Sequence, residues 1–167
     1  MFRKADAGTE LFRGSLTHAD SIGHKEVLEP GDLQLMSAGR GIYHSEYNHS
    51  DQPLHFLQIW LKPAEQQTAP SYQQINRMAL TSPLLVGPQG SGAPLIIKRD
   101  AAIYFYELRG TPRQLSVERA YAYLHIFSGS LHIGGQTLST GDGIMLQHGE
   151  QLSINPSEAG FLWFDMR

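Results

Sequence analysis

The sequence predicts an all-β protein built from two related β-domains, and three observations lead to this prediction. Its 167 residues include 17 glycines and 9 prolines, the residues that most often end strands and form turns. Short apolar segments follow one another at spacings of about 8 to 12 residues, which is typical of a β-sandwich or barrel. The segment Phe12-Arg13-Gly14-Ser15-Leu16 recurs as Phe127-Ser128-Gly129-Ser130-Leu131, and a Gly-Asp pair follows each copy, at Gly31-Asp32 and Gly141-Asp142.

Composition and charge narrow the class of protein. Hydrophobic residues make up 41% of the chain and charged residues 17%, which is typical of a globular protein. A net charge of −3 gives no electrostatic reason to expect nucleic acid or an anionic membrane as partner. No apolar run approaches about 18 residues, so no transmembrane helix is predicted, and residues 1–6 lack the apolar stretch of a secretory signal. The expected location is therefore the cytoplasm.

Turn signals and side-chain alternation assign the elements in order. In the first half, two strands separated by a glycine break are predicted over 11–18, and further strands lie around 25–28, 33–36, 43–47 and 54–61. The last of these is the strongest and is expected to be buried on both faces. Residues 63–82 are more polar, and one short helical turn is predicted around 72–78. The second half contains further strands at 84–86, 94–97, 102–108, 114–118, 120–127, 131–133, 143–146, 152–154 and 160–166.

His44 and Glu46 are the first candidate site residues. In an extended strand, residues two apart share one face, so these two side chains converge while Tyr43, Ser45 and Tyr47 point away. An imidazole beside a carboxylate is part of a 2-His-1-carboxylate metal site, although a simple His–Glu hydrogen bond would satisfy the same pattern. The chain has no cysteine, so a metal would have to be held by His, Asp and Glu.

Four other histidines are weaker candidates. His18 and His24 flank a turn and are predicted to be solvated. His55 lies on an apolar strand face and is predicted to be a core histidine with a local hydrogen bond. The His148-Gly149-Glu150 segment repeats the His-x-Glu pattern but lies only six residues after Asp142, against twelve for His44 after Asp32, so a surface turn is predicted.

Several runs of the first half together closely resemble the pirin family of the cupin superfamily. The resemblance covers residues 12 to 63 densely, and the rest of the chain loosely resembles the second cupin domain of that family. The most specific run is Met-Ser-Ala-Gly-x-Gly-Ile-x-His-Ser-Glu, which ends at Glu46. The residues that carry the resemblance are Leu16-Thr17-His18-Ala19-Asp20-Ser21-Ile22-Gly23, residues 30–42 from Pro30-Gly31-Asp32 onward, His44-Ser45-Glu46 and Leu57-Gln58-Ile59-Trp60.

The resemblance implies a bicupin fold, that is, two β-barrel or jelly-roll-like domains. It implies a partial N-terminal cupin domain over 1–63, a linker over 64–82 and a C-terminal cupin domain over 83–167. It also implies a metal held by three histidines and one glutamate, of which His44 and Glu46 match the third and fourth ligands. The first two belong to a His-Pro-His motif that would fall at positions 0 to 2, where this chain has Met1-Phe2. The chain therefore resembles a pirin without its N-terminal strands.

Some family members are flavonol 2,3-dioxygenases (quercetinases), and others are described as transcriptional co-regulators or binding proteins. The resemblance therefore implies a quercetinase-type pirin, either vestigial or regulatory, with little dioxygenase activity and an incomplete metal site. The alternative is an active flavonol dioxygenase whose missing histidines come from another chain or from an unrecorded N-terminus, with Glu46 as general base.

The expected cofactor is a divalent Fe, Ni, Cu or Mn ion, bound weakly if at all. The expected ligand is a small flavonol-like aromatic compound. A homodimer through an open sheet edge is a further possible partner arrangement.

Overall fold

The computed structural model describes residues 6–64 and 68–167, and most of them lie in β-strands. The predicted all-β class is confirmed. The chain divides into two compact units, the first from residues up to 81 together with 97–99, and the second from 82–96 and 100–167. Within the described ranges, no helix has the length and apolarity needed to span a bilayer.

Antiparallel strands form two sheets in the first unit. Its strands are β1 (Asp6–Arg13), β2 (Leu16–Asp20), β3 (Lys25–Leu28), β4 (Asp32–Ser37), β5 (His44–Tyr47), β6 (His55–Leu61) and β7 (Ser71–Asn76). One sheet has the strand order β6-β1-β4-β7, and the other has the order β3-β2-β5.

The interior of the first unit is unusually polar. Small apolar clusters are present, such as the buried Leu11, Leu16 and Leu28. Beside them lie six buried polar or charged residues, Thr9, Glu10, His18, Asp32, Gln34 and Ser37. Because a buried polar group is costly unless it has partners, this interior must contain a hydrogen-bonded network or a ligand site.

One large sheet organises the second unit, and its core is apolar. The strands are β8 (Leu84–Gly87), β9 (Leu95–Ile96), β10 (Ala101–Arg109), β11 (Arg113–Ser116), β12 (Tyr121–Ile133), β13 (Gln136–Ser139), β14 (Gly143–Gln147), β15 (Gln151–Ile154) and β16 (Glu158–Met166). The order is β11-β15-β12-β16-β10-β8-β9, and β13 and β14 also pair with β12. Leu124, Ile126, Leu131, Phe161 and Trp163 lie in the core.

The two copies of the sequence repeat form the same turn. Asp32 and Asp142 each accept a hydrogen bond from the backbone N–H three residues earlier, at 2.9 and 2.8 Å. The preceding Gly31 and Gly141 have φ of 90° and 93°, a region that a side chain makes costly. Their N–H groups donate to carbonyls of β1 and β12, at 2.9 and 2.8 Å. The repeated Gly-Asp pairs are therefore matching structural turns.

The strand predicted over 54–61 is present as β6, but the prediction that it is buried on both faces was wrong. It pairs with β1 and, in the described part of the chain, with no other strand. As an edge strand it leaves Trp60 51% exposed. His55 at its start is exposed as well, so the prediction of a core histidine was also wrong.

The region predicted as a connection contains regular structure. Strand β7 lies within it and pairs with β4, so this part of 64–82 belongs to the sheet of the first unit. The helical turn predicted over 72–78 is limited to a 3-10 turn at Arg77–Ala79, which Asn76 caps by accepting a hydrogen bond from the backbone N–H of Met78. Tyr72, Gln74 and Asn76 of β7 hydrogen-bond to the buried Gln34 and Asp32. One face of the strand therefore meets a polar interior, which explains why its pattern did not predict a strand.

Candidate metal centre

The pairing of β2 with β5 brings three potential ligands together. In this antiparallel register His18 lies opposite Glu46, and Asp20 lies opposite His44. Directly opposed residues of neighbouring strands have their Cβ atoms about 5 Å apart. Along β5, His44 and Glu46 are half-buried, whereas Ser45 and Tyr47 are exposed. His44 and Glu46 therefore lie on the inner face of β5, and His18 of β2 lies opposite Glu46.

His18, His44 and Glu46 form a group whose ligand atoms lie within 4.8 Å of one another. Two ligands of one ion with bonds of about 2.1 Å can be at most about 4.2 Å apart, so small side-chain rotations would suffice for joint coordination. Two imidazoles and a carboxylate are the donor set of non-haem iron sites. In addition, His18 Nδ1 is buried and has no hydrogen-bond partner among the residues that the structure describes. The residues present therefore fit a divalent transition metal.

The carboxylate of Glu46 is held by two side-chain amides. Gln34 Nε2 donates to Oε1 and Gln58 Nε2 donates to Oε2, each at 3.3 Å. Gln34 is buried on β4 and also donates to Thr9 Oγ1 at 3.2 Å. Carboxylates that bind metals are commonly supported in this way by hydrogen bonds from a surrounding shell.

A second group of contacts fixes the imidazole of His18. Its Nε2 lies 3.3 Å from Oδ2 of Asp20, and the same oxygen lies 3.1 Å from Nδ1 of His24. The ring of Tyr72 stacks on both imidazoles, with centroid separations of 5.1 and 4.8 Å. The Tyr72 hydroxyl in turn donates to Oε1 of Gln74 at 2.6 Å. These contacts leave His18 little rotational freedom.

Burial and charge shift the pKa values around this site. Burial raises the pKa of Asp20, but hydrogen bonds from the His24 backbone, the His18 ring and the Ile22 backbone outweigh it, and the net pKa is lowered. Burial lowers the pKa of His44, and the nearby carboxylate of Glu46 only partly opposes this. Burial and neighbouring carboxylates raise the pKa of Tyr72. The site thus combines an ionised Asp20, an imidazole that favours its neutral, ligating form and a tyrosine that stays protonated.

The prediction that His18 is solvated was wrong, because its side chain is fully buried. The missed signal is the alternation of β2, in which His18 is in phase with the buried Leu16 and shares its face. His24 is partly exposed, with 37% of its side chain accessible. His148 lies in an exposed turn, as predicted, and its Nδ1 contacts a backbone carbonyl oxygen at 2.8 Å. Neither His24 nor His148 is in the ligand group.

Both halves of the chain match known protein families. Residues 2–61 match the pirin family model, and residues 84–166 match the model described as the quercetinase C-terminal cupin domain. These two matched ranges correspond to the polar first unit, which contains the candidate metal centre, and to the apolar second unit.

Individual relatives give the same assignment. The chain is 34% identical over 164 residues to quercetin 2,3-dioxygenase of Escherichia coli K12, covering 95% of this chain and 71% of that protein. It is 34% identical over 134 residues to the pirin of Mus musculus, covering 72% and 46%.

Solved structures agree with the sequence matches. The crystal structure of YhhW from Escherichia coli superposes with a TM-score of 0.91 at 30% identity, and its complex with nickel(II) with 0.89 at 31% identity. Each superposition covers 99% of this chain and 73% of the other. With its two cupin domains, its all-β fold and these relatives, the chain belongs to the pirin family.

Proposed function

We propose that this chain is a quercetinase-type pirin that binds a divalent transition metal through His44 and Glu46 and holds a flavonol-like aromatic ligand beside it. The observation that carries the proposal is the group of ligand atoms from His18, His44 and Glu46 within 4.8 Å. Such a donor set suits iron, and imidazole also suits nickel and copper. The name quercetin 2,3-dioxygenase of a relative and the nickel(II) complex of another support the ligand class and the metal class.

Glu46 has a second role in this proposal, as general base toward the acidic hydroxyl of the ligand. Its carboxylate is oriented by Gln34 and Gln58, each 3.3 Å from one oxygen. The ion, when bound, supplies Lewis acidity that favours the deprotonated ligand. The side-chain amides of Gln34 and Gln58 hold the Glu46 carboxylate in place. One of its oxygens can then accept the hydroxyl proton of the ligand without a change in the position of the carboxylate.

We propose further that dioxygenase turnover is low and that the protein acts mainly as a binding or regulatory protein. The family resemblance implies four protein ligands, whereas three candidate ligand residues come together in the described residues. An ion held by fewer protein ligands is bound more weakly and is more easily lost during turnover. The proposed role is therefore reversible binding of the metal and the aromatic ligand.

A second candidate function is active flavonol 2,3-dioxygenation. It is favoured by the position of Glu46, a carboxylate within the ligand group that has two amide donors to orient it. In this case a further ligand would come from a second chain, and oxygen consumption would depend on protein concentration because two chains must meet.

Metal and flavonol titrations test both candidates. Metal-free protein is titrated anaerobically with Fe(II), Ni(II), Cu(II) or Mn(II), and a desalted portion is analysed for the metal it retains. Quercetin is then added to the titrated protein while its absorption spectrum and dissolved oxygen are followed. The first candidate predicts saturable metal binding in the titration with well under one ion per chain retained after desalting, a red-shifted quercetin band and slow oxygen uptake. Sustained uptake with many turnovers supports the second.

The matched control is His55→Gln, which changes an exposed histidine outside the ligand group. It should bind metal as the unchanged protein does. Failure of the unchanged protein to bind any of the four metals in the titration would contradict both candidate functions.

A further inference from the structure

We infer that His18 is a third metal ligand and binds through Nδ1, and that Asp20 is the positioning residue that frees this nitrogen by holding Nε2. The inference rests on the proposed function, because it assumes that an ion binds at His44 and Glu46. It adds a ligand from β2, whose His18 was predicted from the sequence to be solvated.

The strand register brings His18 to the site. Because His18 is directly opposite Glu46 in the β2–β5 ladder, their side chains project from neighbouring backbone positions onto the same face. The imidazole rings of His18 and His44 have centroids 5.6 Å apart. A shift of the register by one residue would turn His18 to the opposite face, so the pairing itself specifies the third donor.

The hydrogen bonding of His18 selects the nitrogen that is available. Asp20 Oδ1 accepts hydrogen bonds from the backbone N–H groups of Ile22 and His24, at 3.0 and 3.1 Å, so the carboxylate acts as an acceptor toward its neighbours. With Asp20 Oδ2 as the acceptor 3.3 Å away, Nε2 is the donor nitrogen of His18, and Nδ1 has a lone pair when the ring carries one proton. Nδ1 is buried and has no hydrogen-bond partner within residues 6–64 and 68–167. A carboxylate on one imidazole nitrogen and a metal on the other is the common arrangement in protein metal sites.

A purely structural role does not account for this arrangement. The Asp20 contact alone would satisfy one nitrogen of His18 and would leave Nδ1 as a buried acceptor without a partner, which is unfavourable. Tyr72 stacks on the ring face and offers no hydrogen bond from that position. A metal ion shared with His44 and Glu46 would supply the missing partner for Nδ1.

His24 provides a matched control within the same cluster. Like His18, it contacts Asp20 Oδ2 and stacks on Tyr72, at 3.1 and 4.8 Å. Its ring is partly exposed, however, and it is not among the three grouped ligands. Losing His24 should disturb the Asp20 contacts but remove no ligand.

The experiment measures binding of Co(II) and Zn(II) to the full chain and to His18→Gln, His24→Gln, His44→Gln and Asp20→Asn. We expect His18→Gln to weaken affinity by more than about 100-fold and Asp20→Asn by about 10- to 100-fold, as for residues that support a ligand. His24→Gln should weaken affinity no more than Asp20→Asn does, because it removes one contact of Asp20 and no ligand. The visible absorption of bound Co(II) should also lose intensity or shift in His18→Gln, which reports a changed ligand set.

A measurement on the unchanged protein covers the case in which His18→Gln does not fold. Nitrogen-15 NMR of the imidazoles should show the His18 Nδ1 resonance moving on addition of Zn(II), while Nε2 keeps its proton. If His44→Gln abolishes binding but His18→Gln does not and Nδ1 stays unmoved, the inference is wrong and the proposed function stands. If the unchanged protein binds neither ion, the proposed function fails and the inference fails with it.

Discussion

Glu10 is expected to make the first unit less stable as the pH rises, and Glu10→Gln is expected to remove this effect. The side chain is fully buried on β1. Its Oε1 lies 2.6 Å from Nε of Arg77, while Oε2 is buried and has no hydrogen-bond partner in the described part of the chain. Burial raises the pKa of Glu10 from 4.5 to about 7, even though the hydrogen bond and the charge of Arg77 lower it.

The direction of this pH effect follows from the binding of a proton to Glu10 in the folded and the unfolded protein. Between pH 4.5 and 7 the unfolded chain has lost this proton and the folded protein has kept it, so stability falls as the pH rises through this range. The pKa difference of 7 − 4.5, at about 1.36 kcal/mol per unit, amounts to about 3 kcal/mol. The glutamine side chain has the same shape and does not titrate. The free energy of unfolding of Glu10→Gln, relative to the unchanged protein, should therefore rise by about 3 kcal/mol from pH 4 to pH 8.

Urea unfolding followed by circular dichroism, in the presence of a chelator, measures this difference at each pH. The chelator is needed because metal binding to histidines depends on pH. Glu107→Gln is the control, because its side chain is 50% exposed and should leave the pH profile unchanged. A difference between Glu10→Gln and the unchanged protein that is constant from pH 4 to 8, or that shrinks toward pH 8, would refute this reasoning.

Three further predictions concern a glycine and a turn of the second unit, and the edge of a sheet in the first unit. Gly129→Ala should lower thermal stability far more than Gly135→Ala, since both have positive φ but only at Gly129 would a Cβ overlap the carbonyl of Glu158; equal losses would contradict this. Asp142→Ala should cost about 1 kcal/mol in urea unfolding through its lost turn hydrogen bond, and no loss would argue against the turn as a stabilising feature. The edge of β6 that pairs with no other strand in the described residues should support a concentration-dependent dimer in sedimentation velocity, and Trp60→Lys should weaken this dimer. A monomer at every concentration would exclude it.

The sequence predicted the fold class and the repeat well because both depend on local signals. The Gly-Asp pairs at Gly31 and Gly141 need a backbone conformation that glycine adopts easily, so their turns are recognisable without tertiary information. Strand β7 was missed for the opposite reason. Its side chains face a polar interior, and the alternation that identifies a strand assumes an apolar one.

For the candidate site, the sequence predicted His44 and Glu46 as neighbours on one strand face but did not include His18. Residues two apart on one strand can be related by period alone, whereas His18 meets Glu46 only through the pairing of β2 with β5. Strand pairing between segments 28 residues apart depends on the whole sheet, so no local pattern specifies it. The exposed position of His55 has the same origin, because whether a strand lies at an edge is a property of the sheet.

The matching Gly-Asp turns also bear on how such a molecule can change over evolution. The same scaffold is present twice, once with an apolar interior and once with a polar one. This separates two requirements that conflict within a single core, namely stable apolar packing and the burial of charged residues. The apolar copy can accumulate packing that contributes only to folding, while the polar copy can tolerate charged residues whose burial is costly in themselves. Substitutions in the polar first unit can then alter its candidate site without weakening the apolar core of the second unit.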